Sequence, residues 1–178
     1  MQLNLVPHPD THSSGPPFKV WVNIDHAASL GAVGSTNIWF GIGAPASRFV
    51  LPPTSDEPSR SENLWETTCL EAWLHAPGRS EYREWNFAPS GDWAAYDFTS
   101  HRAGRTDADV AAPYVRLEDN MTWWALGATI PVASQSWELG LSAILEERDG
   151  TKSYWALAHP EGDKPDFHDP ACFTARLP

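Results

Sequence analysis

The chain has 178 residues, 42% hydrophobic, 20% charged and 12% aromatic, with a formal net charge of −11. That length suits one domain, 1–178, with a sizeable core. The charge argues against nucleic acid and against an anionic membrane surface as partners.

Met1–Asp10 (MQLNLVPHPD) lacks the basic start and apolar run of a signal peptide, and no later stretch is apolar enough to span a bilayer. A cytoplasmic placement is therefore expected. Residues 1–17 read as an irregular N-terminal segment. Sixteen prolines and twelve glycines then cut the chain into short pieces, and no window keeps a helical period over three turns. Short alternating segments recur instead, which is the pattern of antiparallel β structure. The expected strands are Phe18–Asp25, Thr36–Gly43, Glu66–His75, Tyr82–Phe87, Trp93–Phe98, Tyr114–Glu118, Met121–Ile130, Leu139–Glu146, Thr151–His159 and Cys172–Leu177. Arg148-Asp149-Gly150 marks a hairpin, Pro89-Ser90-Gly91 a turn with proline at its second position, and Glu118-Asp119-Asn120 a weaker turn. Ala44–Asn63 and the Asp/His/Pro-rich run His159–Pro170 read as surface loops. About ten strands with such loops predict an all-β, two-sheet antiparallel β-sandwich of jelly-roll or immunoglobulin-like kind.

Four of the ten tryptophans fall between Leu64 and Phe98, together with Glu71 and Glu84 in strand interiors. Side chains alternate across a strand. Leu70, Ala72 and Leu74 therefore form one face, and Cys69, Glu71 and Trp73 the other. In the next strand Trp85 and Phe87 oppose Tyr82, Glu84 and Asn86. If the strands form a meander, Glu71, Glu84 and Asn86 share a face with Trp73 and Tyr82. Rings beside carboxylates make a poor core and a plausible ligand platform, because sugar C–H faces stack on indoles and sugar hydroxyls donate to carboxylates. The plainer reading is a solvated outer face with scattered tryptophans.

Three runs carry a resemblance: W-E-x-T-C-x-E from Trp65, E-x-N-F-x-P-S-G-x-W from Glu84, and S-Y-W-A-L-x-H-P from Ser153 followed by P-D-F-H from Pro165. Over Phe18–Leu177 the chain resembles the bacterial DOMON-like domains, which are related to family 9 carbohydrate-binding modules. The resemblance implies a β-sandwich that binds a small, sugar-like molecule without catalysis. It implies that Trp65 is one half of an aromatic clamp, that Glu71, six residues on, accepts sugar hydroxyls, and that Glu84 adds a polar contact. The second aromatic is matched only by Phe167 and His168, where relatives have a tryptophan.

Asn86, Arg102 and His159 complete the candidate ligand site. Relatives carry structural calcium, and the oxygen-rich loop 159–170 is where it would bind, although its spacing matches no metal motif. Haem is not expected, because Met1 and Met121 offer no axial pair. No cofactor is therefore assigned. Two other readings stay open. One is an enzyme acting on a sugar-like substrate through Glu71 or Glu84 with His159 or His168. The other is a protein-interaction module using the Trp-rich face. Cys69 and Cys172 are expected as free thiols.

Overall fold

The computed structural model describes residues 1–27, 33–133 and 135–177. It contains twelve strands and three single-turn 3-10 helices: β1 Gln2–Pro7, β2 Val20–Ala27, β3 Val33–Ile42, β4 Cys69–His75, β5 Tyr82–Phe87, β6 Trp93–Phe98, β7 Thr106–Asp107, β8 Tyr114–Asp119, β9 Trp124–Ala133, β10 Trp137–Glu146, β11 Lys152–Ala156 and β12 Ala175–Leu177. The all-β expectation holds, and β5 and β6 begin and end where the alternation places them.

The expectation of two separate sheets is met only in part. The strands run in one antiparallel path, β7-β6-β5-β4-β10-β11-β1-β2-β3-β9-β8, with β12 added on β10. The link is β1, in the segment expected to be irregular. Gln2–Leu5 pair with Val20–Asn23 of β2, while Val6 and Pro7 pair with Ala156 and Trp155 of β11. Six residues ending in proline carry a weak strand signal of their own. Two partners, one on each side, make them a strand.

The path curls so that its two halves face each other over one core. That core joins Val22, Ile38, Phe40, Trp124 and Leu126 of one half to Leu70, Ala72, Trp85, Phe87, Leu139 and Leu141 of the other. An ion pair ties the turn after β3 to the β10–β11 turn, and two serines from the chain before β2 join it. Glu147, 2% exposed, accepts from Arg48 Nε at 2.9 Å and from the hydroxyls of Ser13 (2.9 Å) and Ser14 (2.6 Å). Burial works to raise the Glu147 pKa, but the Arg48 guanidinium and these hydroxyls hold it below its ordinary value.

The expected turns are present. Gly91 N–H donates to Ala88 C=O across Pro89-Ser90, and Gly150 N–H donates to Glu147 C=O. Both glycines take positive φ, +95° and +87°, which an L side chain adopts only with strain. The turn expected at Glu118-Asp119-Asn120 lies slightly later, where Asn120 Oδ1 accepts from the Thr122 and Trp123 amides. No helix among the described residues is long and apolar enough to cross a membrane.

Candidate functional site

The outer face of the β4-β5-β6-β10 region carries the site, and register builds it in rows. Cross-strand neighbours on one face lie about 4.5–5.5 Å apart at Cβ. One row runs Ala94–Asn86–Glu71–Ser142, and the next runs Tyr96–Glu84–Trp73–Gly140. The meander inferred from parity is therefore correct, and Glu71 and Glu84 are diagonal neighbours on adjacent strands. Gly140 is required here: a Cβ would stand 2.4 Å from Cδ1 of Phe173, which packs over that position.

This face is not solvated. Trp73, Tyr82, Tyr96, Phe98, Ile144, Phe167 and Phe173 form a second buried cluster on it, with Trp65 and Tyr154 packed alongside. The segment after β11 folds back over the sheet and supplies the roof. Asp166 fastens it by accepting from Arg102 NH2 at 2.8 Å and lying 2.9 Å from His101 Nε2. Beneath the roof lies a cavity of about 830 Å³, within the size range of small-molecule sites.

Six of the eight expected site residues line this cavity: Trp65, Glu71, Glu84, Arg102, Phe167 and His168. Trp65 is held off the strand. The chain expected to be β from Glu66 instead makes a 3-10 turn, Leu64–Glu66, after Asn63 in the left-handed region at φ 59°. Its ring is half-buried and meets Tyr96 edge-on at 6.3 Å.

The other two expected residues do not line it. Asn86 is fully buried and donates to Glu84 Oε1 at 2.7 Å, so it holds the acid rather than the cavity contents. His159 pairs its Nε2 with the Val6 carbonyl at 2.9 Å and packs edge-on against His8. It belongs to the junction with β1. Arg102 lines the cavity without reaching Glu84; its guanidinium is committed to Asp166.

Both acids are strongly perturbed. Glu71 Oε2 accepts from Ser142 Oγ at 2.6 Å, and Ser142 accepts from Trp73 Nε1 at 2.8 Å. Burial and then the nearby Glu84 charge push Glu71 well above the carboxylate range, against the Ser142 hydrogen bond. Burial also raises Glu84, against the Asn86 hydrogen bond and the fields of Arg105 and Arg102.

His168 moves the other way. Burial, helped by Arg102, lowers it to about 4, so the ring is neutral. Tyr82 Oη accepts from the Arg102 amide at 3.1 Å and lies within hydrogen-bonding distance of His168 Nδ1, at 2.7 Å.

Sequence reading missed several members of the site. His8 and Asp10 line the cavity from the segment after β1, and Tyr96, Phe98 and Arg105 line it from β6 and beyond. Alternation along β6 puts Tyr96 and Phe98 on one face, and the pairing of β6 with β5 brings that face to the site. His8 carried no signal, because its segment read as irregular.

Among the described residues no group of three His, Cys, Asp or Glu side chains is gathered as a metal would need. In the loop considered for calcium, Asp166 serves His101 and Arg102, and Asp169 caps the turn Pro170–Cys172 through the Ala171 amide. Cys69 and Cys172 are buried free thiols. The Trp-rich stretch offers no flat aromatic surface, since Trp73, Trp85 and Trp93 are buried.

No protein-family model matches the chain, and no curated protein matches it. A solved structure does: a protein of Bacteroides uniformis ATCC 8492, described as a candidate carbohydrate-binding protein. It aligns with a TM-score of 0.65 over 99% of this chain and 85% of its own, at 14% identity. At that identity the likeness establishes a shared fold.

Proposed function

We propose that the cavity binds a small sugar-like molecule and releases it unchanged. One observation carries this reading. Trp65 and Phe167 present rings to the same cavity into which Glu71 and Glu84 project as buried acids. Rings complement the C–H faces of a pyranose, and carboxyls complement its hydroxyls. The neutral His168 adds a further hydrogen-bonding ring to the cavity wall. The resemblance to DOMON-like domains and family 9 carbohydrate-binding modules agrees with this reading. So does the description of the Bacteroides structure, although a sandwich of separate sheets remains part of that resemblance only. Isothermal titration against neutral mono- and disaccharides tests the proposal. Binding at about millimolar or tighter supports it, and no heat of binding across the panel refutes it.

A specific observation favours a second reading, acid–base catalysis on such a ligand. Glu71 and Glu84 are raised toward neutrality in one cavity with a neutral histidine, and displaced titrations of this kind mark acids and bases. One carboxyl would protonate a leaving oxygen while the other acts as nucleophile or base. Nitrophenyl glycosides separate the readings. Turnover abolished by Glu71→Gln or Glu84→Gln supports catalysis, and binding without turnover supports the first reading.

A further inference from the structure

The floor of the cavity has an imbalance of charge. Glu71 is 2% exposed and Glu84 5%. Each is held by one neutral partner, Ser142 on Glu71 Oε2 and Asn86 on Glu84 Oε1. The second oxygen of each has no hydrogen-bond partner among the described residues, and neither acid is in an ion pair there.

The two arginines of the same cavity pair with other acids. Arg102 is bound to Asp166 at 2.8 Å. Arg105 lies over Tyr96 at 4.7 Å from the ring centre, with Glu62 at 3.6 Å. Lys164 is exposed, on the roof loop. Burying a carboxylate without a counter-cation is costly, and a missing partner costs more than a present one gains. The raised titration of both acids is the expected consequence.

The walls favour the same kind of partner. Trp65, Trp73, Tyr96 and Phe98 line the cavity around the acids. Aromatic faces attract an ammonium within about 6 Å, most strongly where water is excluded. A neutral polyol brings no positive charge to the two acids.

We propose that this cavity selects ligands bearing a protonated amine, an amino sugar over the corresponding neutral sugar. The inference rests on the sugar-binding reading and adds the charge of the ligand to it. The ammonium takes the two free carboxyl oxygens, and the ring of the sugar lies against Trp65.

Four probes test it by titration calorimetry near neutral pH: D-glucosamine, D-glucose, N-acetyl-D-glucosamine and cyclohexylamine. A charge-assisted hydrogen bond supports a preference of about tenfold or more for glucosamine over glucose. N-acetylglucosamine, which keeps the nitrogen and loses the charge, should fall with glucose. Glu71→Gln and Glu84→Gln should bring the three sugars to similar affinities, and added salt should weaken only glucosamine. If a variant fails to fold, the wild-type panel still decides. Equal affinity for all three sugars overturns the amine preference and leaves the sugar reading standing. Binding of cyclohexylamine with none of the sugars overturns the sugar reading and supports amine selection. Silence from all four probes overturns both.

Discussion

The buried acid pair should make the protein less stable as pH rises through neutrality. In the unfolded chain both glutamates lose their protons near the ordinary carboxylate value. In the folded protein burial of both acids, and for Glu71 the nearby Glu84 charge, keep protons on them to higher pH. Between those limits the native state holds more protons than the unfolded state, so stability falls with pH. The slope is about 1.4 kcal/mol per pH unit for each extra proton held.

Other groups bias this slope at lower pH. Neutral His168 and His159, both lowered chiefly by burial, add stability as pH rises, an effect complete above the ordinary histidine value. Glu147, held low by Arg48 against its burial, adds stability that is complete above the ordinary carboxylate value. The acid pair therefore stands out above about pH 6.5. Over the next one to two pH units, one extra proton predicts a loss of roughly 1.4–2.8 kcal/mol. For a chain of this length that is a fall of about 3–11 °C in Tm. Urea denaturation across that range measures it, with Glu71→Gln/Glu84→Gln as control. The double variant should show a flat profile and exceed the wild type at the alkaline end. A flat wild-type profile, or a slope that survives the double substitution, would show that the acids are not held as described.

Trp65→Ala should weaken ligand binding several-fold, through loss of stacking worth about 0.5–1.5 kcal/mol beyond area. Trp85→Ala, which empties a core position, should cost roughly 3–5 kcal/mol in stability by chemical denaturation; a larger stability loss for Trp65→Ala would make Trp65 a core residue. Arg48→Ala leaves Glu147 buried beside two serines and should cost about 3 kcal/mol at neutral pH. Because Glu147 is held low, that cost should shrink as acid protonates it, and equal costs at neutral and acid pH would refute the pairing. Asp166→Asn should change global stability by about 1 kcal/mol or less. It should nevertheless speed amide exchange in residues 157–169, and unchanged exchange there would mean the roof is held by packing alone.

The faces of β4, β5 and β6 were legible because alternation with period two is a local property. Leu70, Trp85 and Phe87 inside, and Glu71 and Glu84 outside, follow from parity and two short turns. What covers the outer face was not legible. Trp73 and Phe98 are buried only because the chain after β11 returns over them, and no local pattern announces that return. The role of Asn86 needed its exact neighbour, since a buried amide supporting Glu84 and one facing a ligand look alike in sequence. His159 was misplaced for a related reason. It depends on β1, a strand made by its partners rather than by its residues. His8, reached through the same strand, was hidden with it.

The most direct test of the account is a crystal structure of the protein with the tightest-binding sugar of the titration panel. The sugar ring is expected against Trp65 beneath the 157–169 roof, with its polar groups within hydrogen-bonding distance of Glu71 and Glu84. A sugar bound elsewhere, such as in the smaller cavity lined by Pro7, Phe18 and Trp155, with the Glu71–Glu84 cavity empty, would refute the proposed site.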